Sequence, residues 1–307
     1  MIPVVNGIPR FVSSEKYAAG FGLQWNQFRQ SQLDSYTGTT ISRDRLAHAL
    51  GGSLAILKDK TVLEAGCGAG RFTEVLLATG ARVVACDLSI AVEANYANCK
   101  DEPNYFVCQA DIRALPVAAN SFDFVVCLGV IQHTPSPEET IAALARCVKP
   151  GGMLVIDHYG PTYPATFSRR WLRSLLLRLP PDFAKSLALS VARALLPLHK
   201  LGWSQKRGRW RLRRQLQKLS PLVDYYDVYP QLPEKTLAEW ALLDTHDTLT
   251  DYYKHLRTAQ QIEECMRSCG MVDINAYDGG NGVEAPAKSP ASSAPAEYDQ
   301  AMLVERP

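Results

Sequence analysis

The chain has 307 residues, of which 47% are hydrophobic and 21% are charged, and its formal net charge is +2. This length and apolar content predict a large globular domain and exclude disorder as the main state. No apolar run reaches the roughly 18 residues of a membrane-spanning helix, and residues 1–6 lack the basic region and apolar core of a signal peptide. The eight cysteines lie in apolar contexts without a Cys-x-x-Cys pair, which indicates reduced thiols of a cytoplasmic protein and neither disulfides nor a metal site.

Charge is distributed unevenly along the chain. Residues 161–220 contain 14 Lys and Arg side chains against one acid, Asp182, whereas acids outnumber bases in the rest of the chain. A strongly basic segment within an otherwise acidic protein indicates that the segment has a role of its own.

The first 160 residues have two parts. Residues 1–58 mix aromatic and polar side chains and then become helical, so we expect an N-terminal helical cap. Residues 59–160 alternate short apolar runs with amphipathic stretches, which predicts a Rossmann-like core. We predict strands at 61–65, 82–86, 105–108, 122–128 and 153–157, and helices at 71–79, 90–98 and 137–147. Strands separated by helices of this length indicate right-handed crossovers and a parallel sheet.

After residue 160 this alternation stops. Apolar residues at helical spacing predict helices over 167–179 and 183–198, followed by a basic stretch at 206–218. Thr258 and Gln261 form a capping box that predicts a helix ending at Gly270. A strand at 272–277, a loop rich in Pro, Ala and Ser to residue 297, and a closing strand at 301–305 follow. The core sheet therefore resumes over 258–307, after a basic helical insertion at 161–257.

Residues 62–70 read Val-Leu-Glu-Ala-Gly-Cys-Gly-Ala-Gly, a strand that runs into a glycine loop and then a helix. The glycines remove side chains where the backbone turns sharply and approaches a ligand. A nicotinamide dinucleotide fingerprint needs a third small residue at position 71, which is Arg71 here. Glu64, at the end of the strand, is expected to accept from a cationic amino group and to repel a pyrophosphate. Both residues argue against an NAD(P)-dependent oxidoreductase.

After this loop come Asp87 at the end of the second strand, Asp111 after the third, residues 122–129 and the turn at 149–152. With these motifs, residues 59–158 resemble class I S-adenosylmethionine-dependent methyltransferases. The resemblance implies an α/β, Rossmann-like fold with a mainly parallel seven-stranded sheet, helices on both faces and a helical insertion or lid. In that family the glycine loop contacts the amino-acid end of the cofactor, whose product is S-adenosylhomocysteine. An acid that ends the second strand, here Asp87, takes both ribose hydroxyls, and Asp111 matches the acceptor for the adenine amino group.

The resemblance also implies the remaining cofactor residues. From the core they are Glu64, Gly66, Cys67, Gly68, Gly70, Asp87, Leu88, Asp111, Ile112 and Leu128. From the cap they are Trp25 and Arg43, with Arg43 expected to meet the methionine carboxylate.

Two histidines are candidate catalytic residues. Methyl transfer from a sulfonium requires an in-line acceptor, and a hydroxyl acceptor also requires a base. His133 follows the fourth strand, at the sheet edge where ligands bind in such folds, so it is a candidate base. The alternatives for His133 are a pocket wall and a surface cap. His158, at the end of the fifth strand, is either a second candidate or a buried imidazole with satisfied hydrogen bonds.

Polar and aromatic side chains cluster at 244–257, where the insertion returns to the core. This cluster forms either one wall of the acceptor pocket or a solvated connecting helix. The candidate acceptor-binding residues, including two from outside the cluster, are Tyr17, Tyr159, Asp244, His246, Asp247, Tyr252 and Tyr253.

The basic insertion has three interpretations. It is a lid or homodimer surface, a surface for an anionic membrane or a lipid-phosphate substrate, or a nucleic-acid surface. The last is disfavoured, because residues 128–131 lack the Pro-Pro-aromatic motif of enzymes that methylate base amino groups.

We therefore expect a cytoplasmic S-adenosylmethionine-dependent methyltransferase with peripheral membrane contact as one alternative. Its acceptor is expected to be a small molecule of a glycan, lipid or secondary-metabolite pathway. O-methylation is favoured because a histidine base is available. N- or C-methylation and a non-catalytic cofactor-binding partner protein are the alternatives.

Overall fold

The computed structural model describes residues 2–12, 18–163, 165–203, 209–279 and 282–291. The strands are Val4–Val5 (β1), Ile8–Pro9 (β2), Thr61–Ala65 (β3), Arg82–Asp87 (β4), Tyr105–Gln109 (β5), Phe122–Cys127 (β6), Val148–His158 (β7), Tyr277–Gly279 (β8) and Gly282–Lys288 (β9). The helices are Ala19–Gln27 (α1), Asp34–Thr37 (α2), Ile41–Ala49 (α3), Thr73–Ala78 (α4), Ala91–Cys99 (α5), Pro137–Ala145 (α6), Phe167–Leu176 (α7), Pro181–Trp203 (α8), Arg209–Leu219 (α9), Glu234–Thr250 (α10) and Ala259–Ser268 (α11).

Seven strands form one sheet in the order β5-β4-β3-β6-β7-β9-β8. The five strands from β5 to β7 pair in parallel, and β9 and β8 add antiparallel partners at one edge. The prediction of a mainly parallel seven-stranded sheet is confirmed. The chain runs from β3 outward to β5 and then returns to β6 on the other side of β3. Sheets of this kind bind ligands at the carboxyl ends of the strands beside such a reversal.

The sheet has an apolar core on each face, because successive side chains of a buried strand point to opposite sides. On one face Leu63 packs with Ile141 of α6, together with α11. On the other face Val62 packs with Leu46 of α3 and Leu76 of α4. Helices therefore cover both faces, as expected, and hold the strand ends rigidly in place.

The capping box at the start of α11 is confirmed. The Thr258 hydroxyl accepts from the Gln261 backbone N–H at 3.2 Å, and the Gln261 side chain accepts from the Thr258 backbone N–H at 2.9 Å. These two bonds satisfy donors that the first turn of a helix leaves free. The helix ends just before Gly270, whose φ of +78° suits glycine.

The C-terminal strands differ from the prediction. Residues 272–276 are irregular apart from a β-bridge between Val272 and Lys288, and Tyr277 begins β8. The strand beside β7 is instead Gly282–Lys288, which was expected to be loop. Pro286 is atypical of a paired strand, since proline lacks the backbone N–H that a β-ladder uses, and the prediction of a loop here was wrong. Here the Pro286 carbonyl accepts from Asn275 at 3.0 Å, so its backbone polar groups face away from β7. The predicted strand at 301–305 lies outside the described residues.

Helices α7 to α10 lie in the chain between β7 and α11. The helix α10 packs against α7, α8 and α1, so it joins the basic segment to the N-terminal residues. Within the described part of the chain, no helix is both long and apolar enough to cross a bilayer.

Candidate active site

A cavity of about 1070 Å³ opens at the carboxyl ends of β3, β4, β6 and β7. Helices α1, α3 and α10 contribute to its other walls, together with residues 223–231 and the β8–β9 edge. Many of the residues singled out from the sequence line it, namely Trp25, Gly66, Cys67, Gly68, Asp87, Leu88, Asp111, Ile112, Leu128, His133, Tyr159, Asp244 and Asp247. The fold thus brings together most of the predicted cofactor residues, one of the two candidate bases and three of the predicted acceptor residues, from positions more than 200 residues apart.

The glycine loop forms one end of the cavity. Gly66 and Gly68 have φ values of +80° and +49°, in the left-handed region that favours glycine. A Cβ atom at Gly66 would lie 2.3 Å from Val130, and one at Gly68 would lie 3.3 Å from the Trp25 indole nitrogen. The loop therefore lets Val130 and Trp25 approach its backbone closely, and a side chain at either glycine would block this end of the cavity.

Two aspartates follow the neighbouring strand ends. Asp87 accepts from the Gly68 N–H at 3.0 Å and from the Ser89 hydroxyl at 2.7 Å. Burial raises the pKa of Asp87, and these hydrogen bonds oppose that rise. Asp111 accepts from the Nε and Nη2 atoms of Arg113. Each carboxylate oxygen has further lone pairs, so both groups remain able to accept from a ligand. A nucleoside carries hydroxyl and amino donors, and these two carboxylates are suitable acceptors for them.

His133 is held in one tautomer. Its Nδ1 lies 3.1 Å from the Tyr253 carbonyl oxygen, which can only accept, so Nδ1 carries the proton and Nε2 the lone pair. The rings of Phe21 and Tyr159 flank the imidazole at centroid distances of 5.2 and 5.3 Å. Burial lowers the pKa of His133, partly offset by Asp251. The imidazole is therefore neutral at pH 7 and suited to act as a base at the cavity wall.

Another part of the cavity lining contains tyrosines and acids. Tyr159 and Tyr163 stack at a centroid distance of 4.0 Å. On α10, Asp244 and Asp247 lie three residues apart, so they face the cavity together. Burial raises the pKa of each to about 7. Oδ1 of Asp247 is buried and has no hydrogen-bond partner among the described residues.

Two arginines that the sequence analysis did not assign to the site also line the cavity. Arg45 of α3 forms an ion pair with Asp157 at the end of β7. Arg71 donates to Ser42 at 2.9 Å and to Gln32 at 3.0 Å. The sequence did contain one indication that Arg71 lines the cavity, namely its position directly after the glycine loop. The local sequence contains no feature that would have identified Arg45, rather than its neighbours on α3, as a residue of the cavity lining.

Three predicted cofactor residues do not line the cavity. Arg43 is exposed, and Arg45, about 200° around the same helix, takes the inward position. Gly70 serves packing, since a Cβ atom there would lie 3.3 Å from the Cys99 sulfur. Glu64 is buried and accepts from the Thr73 hydroxyl at 2.5 Å. Burial raises the pKa of Glu64 to about 8, so the negative charge expected there is mostly absent at neutral pH.

Four other predicted residues also lie outside the cavity lining. Nδ1 of His158 donates to the Tyr159 carbonyl at 3.0 Å, and Nδ1 of His246 meets the Gln24 side chain at 2.6 Å. Tyr252 is 55% exposed, and Tyr253 contributes its backbone carbonyl to His133. These residues support the site or face solvent. Tyr17, also predicted to contact the acceptor, lies outside the described residues.

Residues 63–156 match the family described as "Methyltransferase domain". A ubiquinone biosynthesis O-methyltransferase of Coxiella burnetii is 39% identical over 112 residues, which cover 36% of this chain and 47% of that protein. The protein of the same name from Thiobacillus denitrificans is 33% identical over 140 residues, covering 43% of this chain and 60% of that protein. The chain thus matches only about half the length of these curated relatives. The crystal structure of a SAM-dependent methyltransferase from Aquifex aeolicus has a TM-score of 0.43 at 13% identity, covering 85% of this chain and 92% of that chain.

Proposed function

We propose that this protein is an S-adenosylmethionine-dependent methyltransferase that methylates a hydroxyl group of a small-molecule acceptor. The match of residues 63–156 to a methyltransferase domain supports the proposal. One observation carries the proposal: the glycine loop, Asp87 and His133 line the same cavity. The O-methyltransferase names of the relatives support the choice of oxygen over nitrogen or carbon. When bound, S-adenosylmethionine supplies a methyl group on a positively charged sulfur.

The cofactor-holding residues follow from the strand ends. Asp87 accepts from the ribose hydroxyls and Asp111 from the adenine amino group, while the backbone at Gly66 and Gly68 leaves room for the amino-acid end. Trp25 lies against Gly68 and covers this end of the cavity. These residues would hold the cofactor in the same cavity that His133 and Tyr159 line.

His133 accepts the acceptor's proton at Nε2. The Tyr253 carbonyl fixes the proton on Nδ1, and burial keeps the ring neutral, so Nε2 has a lone pair throughout the neutral pH range. The tyrosines and α10 aspartates exclude water and position the acceptor hydroxyl between His133 and the methyl group.

Calorimetric titration with S-adenosylhomocysteine tests the cofactor part of the proposal. We expect the wild type to bind and Asp87→Ala to lose about 100-fold in affinity, because charge-assisted hydrogen bonds are lost. Asp101→Ala, an exposed acid remote from the cavity, is the matched control. Binding of NADPH but not S-adenosylhomocysteine by the folded protein would make it an oxidoreductase candidate instead. Methyl transfer to phenolic and lipid-phosphate pools then identifies the acceptor.

We further propose that α7 contacts an anionic membrane surface. Phe167, Trp171 and Leu175 share its outer face and are 76%, 61% and 41% exposed. The inner face packs through Leu172 and Leu176 against α8 and α10. Exposed aromatic groups in a segment this rich in Arg and Lys are typical of helices that lie on anionic lipid.

Vesicle flotation tests this contact. The wild type should float with vesicles containing phosphatidylglycerol and not with pure phosphatidylcholine, and Phe167→Ser/Trp171→Ser should lose flotation. Phe106→Ser, which removes an exposed aromatic side chain on β5, is the control. Equal flotation of the double variant contradicts the proposal. Light scattering tests the alternative of a homodimer. If the wild type has twice the mass of one chain and the double variant has the mass of one chain, this face is a homodimer interface.

A further inference from the structure

Asp247 of α10 is a carboxylate of the cavity lining that lacks a partner. Its Oδ1 atom is buried and accepts no hydrogen bond within the described part of the chain. No ion pair joins its carboxylate to a described Lys, Arg or His side chain either. A buried carboxylate oxygen without a donor is rare in a folded protein and requires an explanation.

The other enclosed carboxylates of the lining each accept from a described donor. The pairs are Asp87 with Gly68, Asp111 with Arg113, Asp224 with Trp203, Asp244 with Tyr225 and Glu284 with Tyr277. Asp44 and Asp278, which also line the cavity, are exposed to solvent. Asp247 is therefore the enclosed acid of the described lining whose donor is missing, and a ligand in the cavity can supply that donor.

The position of Asp247 is unfavourable for a charged carboxylate. Burial is the main cause that raises its pKa, to about 7, and the charge of Asp251 adds to the rise. The charge of Lys254 opposes it, but the Lys254 ammonium is already bonded to Asp251 at 3.0 Å and to the Thr248 carbonyl at 3.2 Å. Part of the desolvation of Asp247 is thus uncompensated, and a cation in the cavity would compensate it.

Aromatic rings lie beside this carboxylate. Burial raises the pKa of Tyr159 and of Tyr163, and the negative charge of Asp247 contributes to both shifts. The two rings stack at a centroid distance of 4.0 Å, and Lys254 lies over the Tyr163 ring at 5.1 Å, so they already accommodate one cation. A carboxylate beside tyrosine rings is a favourable environment for a bound ammonium group, because both attract positive charge.

The arginines of the lining interact with other groups. The charges of Arg71 and Arg45 oppose the rise in pKa that burial causes at Asp244, one turn before Asp247. Arg169 donates to two backbone carbonyls just after α9. The carboxylate of Asp247 therefore remains available to a ligand cation.

We propose that Asp247 binds a protonated amino group of the acceptor, which is then a hydroxy compound that carries a positive charge. An ammonium group has three N–H donors, so it satisfies the buried Oδ1 atom through a charge-assisted hydrogen bond. Tyr159, which lies beside Asp247, contacts the His133 ring edge-on at a centroid distance of 5.3 Å. The inference rests on the proposed function, because the hydroxyl of the same acceptor is the group that His133 deprotonates.

Three ring compounds test the proposal by calorimetric titration at pH 7.5 into protein saturated with S-adenosylhomocysteine. Tyramine has a hydroxyl and an ammonium group, 2-phenylethylamine has only the ammonium group, and 4-ethylphenol has only the hydroxyl group. Each compound is titrated into the wild type, Asp247→Asn and the control Glu234→Gln, which changes an exposed acid of the same helix. Asparagine keeps the shape of aspartate and removes its charge.

We expect the wild type to bind both amines at least about 10-fold more tightly than 4-ethylphenol. Asp247→Asn should weaken the amines about 30-fold, the usual effect of losing a hydrogen bond between charged groups, and change 4-ethylphenol less than about threefold. Glu234→Gln should behave as the wild type does. If the wild type shows no preference for the amines, or if Asp247→Asn retains that preference, the proposal is wrong.

Urea unfolding without ligand provides a second measurement. Asp247→Asn removes a buried charge that has no partner, so its urea midpoint at pH 7.5 should equal or exceed that of the wild type. A lower midpoint together with unchanged affinity for the amines would assign Asp247 a structural role and contradict the proposal.

The same titrations into cofactor-free protein separate this inference from the proposed function. Amine binding that depends on Asp247, in a protein that does not bind S-adenosylhomocysteine, supports the ammonium site and contradicts the proposed methyltransferase activity. Binding of S-adenosylhomocysteine without a preference for amines contradicts only the ammonium site.

Discussion

His133 and Tyr253 are 120 residues apart in the chain, yet a 3.1 Å hydrogen bond joins the imidazole Nδ1 to the tyrosine backbone carbonyl. The bond connects the turn after β6 to the segment after α10. Because a carbonyl cannot donate, it fixes the histidine tautomer without adding a charge to the site. A rearrangement of residues 251–255 would therefore change the position and the tautomer of His133, the proposed base.

His133→Ala should reduce turnover at least ~100-fold with little change in the affinity for S-adenosylhomocysteine. Burial lowers the pKa of His133 below 6.5, so kcat should decrease through protonation of the imidazole only at pH values below 6.5. Methyl-transfer rates between pH 5 and 8, with His133→Gln as a second variant, check both points. Near-wild-type turnover in either variant would end the role of His133 as the base.

Gly66→Ala should destabilise the protein far more than Gly51→Ala. Both glycines have φ near +80°, but a Cβ atom meets Val130 at 2.3 Å in the first case and open space in the second. We expect a cost of about 1 kcal/mol at Gly51 from conformation alone, and about 2 kcal/mol more at Gly66 from overpacking. Urea unfolding measures both free energies.

The double variant Gly66→Ala/Val130→Ala isolates the steric part of this cost. Removing the two methyl groups of Val130 should recover more than half of the additional loss. Equal costs at the two glycines, or no recovery in the double variant, would show that the approach of Val130 does not matter.

Glu64 should make stability fall as pH rises towards 8. Burial raises its pKa from 4.5 to about 8, so between these values the folded state holds a proton that the unfolded state releases. The contribution of this group to the free energy of unfolding is fully present below pH 4.5 and is lost progressively as the pH rises from 4.5 to 8. The advantage of Glu64→Gln over the wild type should therefore grow by roughly 1.4 kcal/mol per pH unit within this window.

Urea unfolding at pH 5.5, 6.5 and 7.5 measures this difference for Glu64→Gln and for Glu102→Gln, an exposed control. Parallel curves for the wild type and Glu64→Gln would contradict a protonated Glu64. Since Glu64 does not line the cavity, the affinity of Glu64→Gln for S-adenosylhomocysteine should change much less than that of Asp87→Ala.

Ser220, His199 and Asp224 are bonded in the order of a serine hydrolase triad, with distances of 2.9 and 2.8 Å from the imidazole. Ser220 and His199 are buried, and the Asp224 side chain is 3% exposed. Asp224 lines the cavity but Ser220 does not, so the group joins α8 to residues 220–224. His199→Ala should cost about 3 kcal/mol, because it leaves a buried carboxylate with fewer donors.

Unfolding of His199→Ala and Ser220→Ala, together with hydrolysis of p-nitrophenyl acetate, separates structure from activity. The serine variant should leave the background hydrolysis unchanged. A loss of esterase activity in Ser220→Ala without a loss of stability would contradict the structural role.

Much of the core was predictable because its signals are local. Buried parallel strands appear as short apolar runs, and the five predicted strands of the parallel region match β3 to β7. The Thr258–Gln261 capping box is likewise complete within four residues. The assignment of 282–288 to a loop was wrong because Pro286 is atypical of a strand, and only its place beside β7 shows that its missing N–H is not needed there.

The alternation of strands and helices, the glycine loop and the acids at the strand ends could be predicted from local sequence, since each depends on neighbouring residues. Tertiary structure alone decided that Arg45 and not Arg43 faces the cavity, that burial keeps Glu64 mostly neutral, and that Tyr253 orients His133. These features depend on helix rotation, desolvation and contacts between distant segments. Those quantities are set by how the elements pack, which the order of residues within one element does not encode.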